Sequence, residues 1–115
     1  MSGPSAEYDV VVVGAGLVGL ALAPALVKAG LSVALADRVP LTMPELPPAG
    51  EGWDARVYAI SPGSATFLRA QGAWQALAPD RIAPVESMRI EGDTGARLNF
   101  SAYDLGERAL AWIVE

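Results

Sequence analysis

Three closely spaced glycines near the start of the chain limit its fold most. Gly14, Gly16 and Gly19 form the pattern G-x-G-x-x-G directly after the apolar run YDVVVV at residues 8–13. The β-branched run predicts a strand that is buried on both faces, as in a parallel sheet. In such a motif the first glycine permits a tight turn, the second lets a pyrophosphate approach the backbone, and the third lets the helix pack closely on the strand. The sequence therefore predicts a strand–turn–helix of the kind that binds dinucleotides.

The next residues complete a β–α–β unit. Leu17–Ala29 predicts a helix, with Lys28 in the last turn and Gly30 as the stop signal. Pro24 lies inside this helix and is expected to kink it, because proline lacks an N–H and clashes with the preceding turn. Leu31–Ala36 predicts a second buried strand, so that strand, helix and strand follow one another as in a crossover unit. The free N–H groups at the start of the helix would face the phosphates.

The second strand ends in an acidic residue, Asp37, which lies 18 positions after Gly19. A carboxylate there can accept hydrogen bonds from ribose hydroxyls and would repel a 2′-phosphate, so FAD or NAD is favoured over NADP. The glycine motif does not by itself separate FAD from NAD. In the alternative interpretation, the glycines serve only turn and packing, and Asp37 is a solvated strand end.

The long apolar stretch from Val10 to Val27 could also be a membrane span. Its glycines, Pro24 and the β-branched residues at its start favour the strand–turn–helix instead. The segment Met1–Glu7 has no positively charged region, so it does not resemble a secretory signal.

Composition excludes several function classes. The chain is 52% hydrophobic and 18% charged, which argues against disorder. Its net charge of −5 argues against nucleic-acid binding. It has no cysteine and no histidine, which excludes disulfides and argues against zinc or non-haem iron sites, so we assign no metal ligand.

The rest of the chain predicts further elements after a loop rich in proline and glycine at residues 38–53. Ser61 is expected to cap a helix at Pro62–Ala70. Val85–Glu91 and Arg97–Ala102 flank the turn residues GDTG and predict a β-hairpin. Ala109–Val114 predicts the start of another buried strand.

The segment after the loop resembles a known family. DARVYAIS at residues 54–61 is similar to the D-x-R-x-x-A-[IL]-S pattern of ubiquinone-biosynthesis hydroxylases, and FLRAQGAW at residues 67–74 is similar to their L-x-x-x-G-x-W. The order and spacing of these patterns match over residues 8–115. These enzymes are class A flavoprotein monooxygenases of the p-hydroxybenzoate hydroxylase type.

The resemblance implies bound FAD, NAD(P)H as a transient reductant, and hydroxylation of a polyprenylated phenol by O₂. By position, Gly14, Gly16 and Gly19 would hold the pyrophosphate and Asp37 the adenosine ribose. Arg56 would lie near a phosphate or the isoalloxazine edge. In the alternative for Arg56, it forms a surface salt bridge with Asp54 or Glu51.

The motifs that contact FAD later in these enzymes, and their substrate-binding sheet, are not found in the sequence. We therefore expect residues 1–115 to be the N-terminal part of an FAD-binding domain, with the substrate domain and the catalytic residues elsewhere. The expected fold class is α/β, a Rossmann-like β–α–β unit with an added β-hairpin, incomplete relative to the family fold.

This interpretation carries expectations about behaviour. The 115 residues alone should lack hydroxylase activity and self-associate through open strand edges. The parent enzyme would act on a small aromatic or quinol substrate in the cytoplasm, with peripheral attachment to the inner membrane. The alternatives are an NAD-binding fragment of a dehydrogenase or reductase, and a non-catalytic fragment that self-associates.

Overall fold

A computed structural model describes residues 7–43, 45, 47–48 and 50–115. The chain divides into two compact units, Met1–Glu45 and Leu46–Glu115. Each unit has its own helix and its own strands, so the predicted mixture of helix and strand is confirmed.

The first unit is a β–α–β unit. Strand β1 (Val10–Val13) is followed by helix α1 (Leu17–Lys28) and strand β2 (Val33–Ala36). The two strands pair in parallel, from Val10 opposite Val33 to Val13 opposite Ala36. The predicted order of elements is therefore confirmed, although both strands begin two residues later than predicted.

Asp9 and Ser32, the residues directly before the two parallel strands, are joined by hydrogen bonds. The Asp9 carboxylate accepts hydrogen bonds from the Ser32 backbone N–H at 2.8 Å and from its hydroxyl at 2.7 Å. The Asp9 N–H in turn donates to the Ser32 carbonyl and to its hydroxyl oxygen, each at 3.0 Å. These contacts fix the register at the point where the pairing begins.

Only one face of β1 is buried. Val12 lies against α1, close to Gly19, and is 8% exposed. Val11 and Val13 alternate to the other face and are 58% and 84% exposed. The prediction of a strand buried on both faces is wrong for β1, because α1 covers one face and no described element of the first unit covers the other.

Helix α1 continues through Pro24 without interruption. The helix ends where the sequence predicts, because Gly30 adopts a φ of +89° that favours glycine. The Gly30 N–H donates to the Val27 carbonyl at 3.0 Å, and the Leu31 N–H donates to Leu26 at 3.2 Å. These bonds satisfy carbonyls in the last turn, whereas Pro24 removes one bond from the middle of the helix.

The second unit contains a three-stranded antiparallel sheet. Strand β3 (Tyr58–Ile60) and strand β4 (Ile82–Val85) lie on either side of strand β7 (Ala111–Val114). Ile60 pairs with Trp112, and Val85 pairs with Ala111. The predicted strand at Ala109–Val114 is thus central in its sheet. Of these residues Ala109 and Val114 are buried and the four between them are half-buried, so the prediction of a buried strand is confirmed in part.

Helix α2 (Pro62–Ala70) covers this sheet. The Ser61 hydroxyl accepts a hydrogen bond from the Ser64 N–H at 3.2 Å, which confirms the predicted cap. The core of the unit consists of three buried residues and the partly buried side chains around them: Ile60, Ala65, Val114, Leu68, Trp74, Leu77, Ile82 and Trp112.

Strands β5 (Ser87–Glu91) and β6 (Arg97–Ser101) form the predicted β-hairpin. The Gly92 N–H donates to the Ala96 carbonyl at 2.8 Å, and Gly95 adopts a φ of +83° in the turn. The predicted boundary at Val85 is wrong, because Val85 belongs to β4 and pairs with β7. The chain changes sheets at Glu86.

Candidate cofactor-binding site

The glycine turn between β1 and α1 is held against the end of β2. Gly14 adopts a φ of +104°, a backbone conformation that residues with a Cβ rarely adopt. Its N–H donates a hydrogen bond to the Ala36 carbonyl at 2.8 Å. The tight turn that the sequence predicts at Gly14 is therefore present, and this hydrogen bond joins it to the end of β2.

Gly19 is required by the packing of α1 on this turn. A Cβ atom at position 19 would lie 1.9 Å from the Gly14 carbonyl oxygen and 3.0 Å from its carbon. These are backbone atoms, which cannot move aside without opening the turn. The predicted role of Gly19 in close packing is confirmed.

Gly16 differs from both of its neighbours in the motif. It has φ −79° and ψ −171°, an extended conformation that any residue adopts. A Cβ atom placed on it would meet nothing within 4 Å. The fold of the described chain thus gives no reason for glycine at position 16, and the space beside it is open.

That open space adjoins the start of α1. Gly16 is the N-cap residue directly before α1, and its carbonyl accepts the first helical bond, from the Leu20 N–H at 2.9 Å. No side chain among the described residues caps this end, and the first turn holds no acidic residue. Backbone N–H groups at such an end, together with the helix dipole, attract anions. The arrangement fits a pyrophosphate group, which needs close access to the backbone.

Asp37 lies directly beside the glycine turn. Its Oδ2 accepts a hydrogen bond from the Ala15 N–H at 2.6 Å, and its Oδ1 accepts one from the Val39 N–H at 3.0 Å. These backbone bonds, that from Ala15 first, lower the pKa of Asp37 below its ordinary value of 3.8. The carboxylate is therefore ionised at neutral pH, and each oxygen keeps a lone pair that can accept a ribose hydroxyl.

The structure thus brings together four of the five predicted site residues, namely Gly14, Gly16, Gly19 and Asp37, at one end of the first unit. The bond from Ala15 to Asp37 was not anticipated. The spacing of the three glycines identifies the turn, but nothing in the sequence indicates which N–H group the Asp37 carboxylate binds. The contact of Asp37 with ribose stays a prediction.

The fifth residue, Arg56, lies in the second unit beside Asp54. Its Nη2 lies 3.7 Å from the Asp54 Oδ2, and the side chain is 83% exposed. Its backbone N–H donates to the Asp54 Oδ1 at 2.8 Å, and this bond is the main cause of the lowered pKa of Asp54. The surface salt bridge with Asp54, considered above as the alternative, is present. The role of Arg56 at a cofactor stays a prediction.

A buried ion pair in the second unit was not predicted from the sequence. The Arg81 Nη1 lies 2.7 Å from Oε1 and 2.6 Å from Oε2 of Glu115, and the two side chains are 7% and 13% exposed. The residues are 34 positions apart, and no periodicity connects them. Sequence reasoning had no signal with which to find this pair.

Two further properties concern only the described part of the chain. None of its helices has the length and apolar character that crossing a membrane requires. The stretch Val10–Val27 is divided between β1 and α1. Among the same residues, no group of three or more acidic side chains is arranged as a metal site.

Comparison with known proteins gives a family and several relatives. A family model described as an FAD binding domain matches residues 7–95. Ubiquinone hydroxylase UbiM of Neisseria meningitidis is 33% identical over 97 residues, covering 84% of this chain and 20% of the relative. The mitochondrial ubiquinone biosynthesis monooxygenase COQ6 is 38% identical over 96 residues in Xenopus tropicalis, covering 77% of this chain and 19% of the relative. Its counterpart in Danio rerio is 32% identical over 114 residues, covering 94% and 23%.

The chain thus spans about a fifth of the length of the curated relatives that it matches. The resemblance to ubiquinone-biosynthesis hydroxylases is confirmed by these relatives. The matched range begins before β1 and includes the glycine turn and Asp37. The chain belongs to the FAD binding domain family.

Proposed function

We propose that these 115 residues are the N-terminal FAD-binding segment of a flavin-dependent monooxygenase that acts in ubiquinone biosynthesis. A protein of the relatives' length that carries them is called the parent protein below. Its proposed reaction is hydroxylation of a polyprenylated phenol, with NAD(P)H as reductant and O₂ as oxidant. The proposal is supported by the match to the FAD binding domain family and by relatives named as a ubiquinone hydroxylase and as ubiquinone biosynthesis monooxygenases.

One observation carries the assignment of the site. Gly16 has an ordinary backbone conformation and open space where a Cβ would stand, next to an uncapped helix end. Glycine at this position is explained if a phosphate group needs that space, and the described fold does not otherwise require it.

The residues of this chain then have distinct tasks in a Rossmann-like unit. Gly14 and Gly19 maintain the shape of the turn. Gly16 and the first N–H groups of α1 bind the pyrophosphate of FAD, and Asp37 binds the adenosine ribose. When it is bound, the flavin supplies the redox and oxygen chemistry, while the protein supplies position and electrostatics.

Arg56 is assigned to the same cofactor on the strength of the sequence resemblance alone. A guanidinium group binds phosphate or stabilises negative charge on a reduced ring. Its side chain is exposed in this structure, so such a contact requires no prior opening of a core.

The proposed location of the parent protein in the cell follows from its proposed substrate class. A polyprenylated phenol partitions into lipid, so we expect a cytoplasmic enzyme that attaches peripherally to the inner membrane. The aromatic or quinol substrate would bind outside these residues.

Substitution of Gly16 by valine in the parent protein tests the site. The branched side chain would fill the space assigned to the pyrophosphate, so we expect protein that purifies folded but without flavin. Gly63→Val is a matched control, because Gly63 lies in the first turn of α2 and a Cβ placed on it would also meet nothing within 4 Å. If Gly16→Val retained a full complement of flavin, the assignment would be wrong.

Gly19→Ala provides the opposite comparison. Its Cβ would collide with the Gly14 carbonyl, so this variant should lose the folded first unit as well as flavin. Loss of flavin, with thermal unfolding like that of the flavin-free parent protein, is therefore expected for Gly16→Val and not for Gly19→Ala.

A further inference from the structure

The segment Glu51–Arg56 is attached to the second unit by the buried pair Arg81–Glu115. Both carboxylate oxygens of Glu115 lie within 2.7 Å of the Arg81 Nη1. The Arg81 Nη2 donates a further hydrogen bond to the backbone carbonyl of Glu51 at 2.5 Å. One guanidinium group therefore binds Glu115, the residue that follows β7, and the start of the segment at the same time.

Two more contacts attach neighbouring residues of the segment. Glu115 Oε1 accepts a hydrogen bond from the Asp54 backbone N–H at 2.7 Å. The Arg81 guanidinium carbon lies 4.6 Å from the centroid of the Trp53 ring, within the range of a cation–π contact. Residues 51, 53 and 54 are thus each held by the same ion pair, although none of them lies in a helix or strand.

The attachment extends to Arg56 through Asp54. The Asp54 carboxylate accepts the Arg56 N–H at 2.8 Å, and the Arg56 guanidinium lies 3.7 Å away from it. The position of Arg56 therefore depends on Asp54, whose own backbone is bound by Glu115.

Net stability is a weak explanation for such a pair. Burying two charges costs desolvation energy that their attraction often only balances. What the pair does supply is a fixed geometry, because the planar guanidinium group has donors at set angles and its two Nη nitrogens meet acceptors on Glu115 and Glu51. A lysine has three donors on a single nitrogen, so it could not reproduce the planar fork that reaches Glu115 and the Glu51 carbonyl from two nitrogens.

We infer that Arg81 and Glu115 are positioning residues that hold the segment Glu51–Arg56 in place. They act on cofactor binding through Arg56. This inference rests on the proposed function, which assigns Arg56 to FAD. Neither Arg81 nor Glu115 is assigned any contact with the cofactor itself.

Arg81→Lys in the parent protein is the decisive variant, because it keeps the buried positive charge opposite Glu115 and removes the fork. Arg69→Lys is the matched control. The Arg69 guanidinium also stacks on tryptophan in the second unit, 4.7 Å from the Trp74 ring and 5.2 Å from the Trp112 ring. The structure shows no contact between Arg69 and the segment Glu51–Arg56.

The first measurement is hydrogen exchange of the peptide that covers Trp53–Arg56, without any cofactor. Loss of the fork should make the amides of Asp54 and Arg56 exchange about tenfold faster, as expected when a local hydrogen-bonded segment is released. Arg69→Lys should leave this peptide unchanged. Equal exchange in the parent protein and in Arg81→Lys would overturn the inference.

The second measurement is a double-mutant cycle on FAD affinity with Arg56→Ala. Arg81→Lys should weaken binding about three- to tenfold when Arg56 is present, the size of one lost charge-assisted contact, and have little effect when Arg56 is absent. An equal loss in both backgrounds would mean a general structural effect and would contradict action through Arg56. If the unsubstituted parent protein bound no FAD at all, the proposed function would fail, and the positioning of the segment would be decided by the exchange result.

Discussion

At the scale of single residues, the three glycines of the turn meet three different physical demands. Gly14 needs a backbone conformation with φ of +104°, and Gly19 needs the absence of a Cβ that would lie 1.9 Å from a carbonyl oxygen. Gly16 has neither restriction, and the open space beside it adjoins the uncapped start of α1, which leaves room for a ligand. The structure thus explains glycine at positions 14 and 19 by the demands of folding, while the binding role of Gly16 stays a prediction.

The exposed position of Arg56 leads to a prediction about its role. Arg56→Ala in the parent protein should weaken FAD binding about tenfold, the typical effect of losing a charge-assisted contact. The midpoint of thermal unfolding of the FAD-free protein should stay unchanged, because an exposed ion pair with Asp54 at 3.7 Å contributes little to stability. Flavin titration and a melting curve measure the two quantities. Unchanged flavin content and activity would show that Arg56 forms only the surface salt bridge.

The backbone bonds to Asp9 and Asp37 predict how stability depends on pH. Hydrogen bonds from Ser32 to Asp9, and from Ala15 to Asp37, lower both pKa values below 3.8. A lowered pKa in the folded state contributes stability above the ordinary pKa, and the contribution is lost as the pH falls through the lower value. The free energy of unfolding should therefore decrease below a pH of about 3.8. Denaturant titrations at several pH values should show a flatter profile in the double variant Asp9→Asn, Asp37→Asn, and an equally steep one would refute this linkage.

At the scale of elements, the structure confirms the predictions that depend on a few neighbouring residues. The pairing of β4 with β7, which are distant in the sequence, was not predicted. The cap at Ser61, the stop at Gly30 and the hairpin turn each depend on a few neighbouring residues, and all three were predicted. Strand β4 was missed because its partner β7 follows 29 residues later along the chain and because it contains Pro84. Proline is tolerated there since β4 lies at the edge of its sheet.

The contacts of the candidate site show the same limit. The sequence predicted the turn and placed Asp37 at the end of β2, but not the bond from Ala15 to Asp37. It also gave no indication of the Arg81–Glu115 pair, because the path of the chain alone brings these residues together.

Helix α1 offers a test of how much an interior proline costs in this unit. Pro24 is exposed and removes a hydrogen bond that would join residue 24 to the Leu20 carbonyl. Pro24→Ala should therefore raise the free energy of unfolding by about 1–3 kcal/mol. Denaturant unfolding measures this, with Ala25→Ser at the next position of the same helix as a comparison. A loss of stability in Pro24→Ala would show that the ring makes contacts that outweigh the missing bond.

At the scale of the whole molecule, large apolar side chains remain exposed in both units. In the first unit, Val11 and Val13 form the open face of β1. In the second, one face of the hairpin presents four exposed apolar residues in two cross-strand pairs: Met88 with Phe100 and Ile90 with Leu98. A two-stranded hairpin with one apolar face is marginally stable in water by itself.

These surfaces predict self-association of the 115 residues expressed alone. Apolar patches of this kind and unpaired strand edges promote pairing between copies, so a dimer, a larger assembly or aggregation is expected. Light scattering would give the mass, and absorbance would show little bound flavin. A stable monomer that held FAD and consumed NAD(P)H would contradict both this prediction and the placement of the catalytic centre outside these residues.

The most direct test of the central claim is the identity of the nucleotide that the parent protein carries. The protein would be purified without added cofactor and denatured, and the released nucleotide would be identified by chromatography and by its absorbance. We predict FAD at about one molecule per chain, bound through the glycine turn and Asp37. Folded protein that released NAD(H), NADP(H) or no nucleotide would contradict this claim.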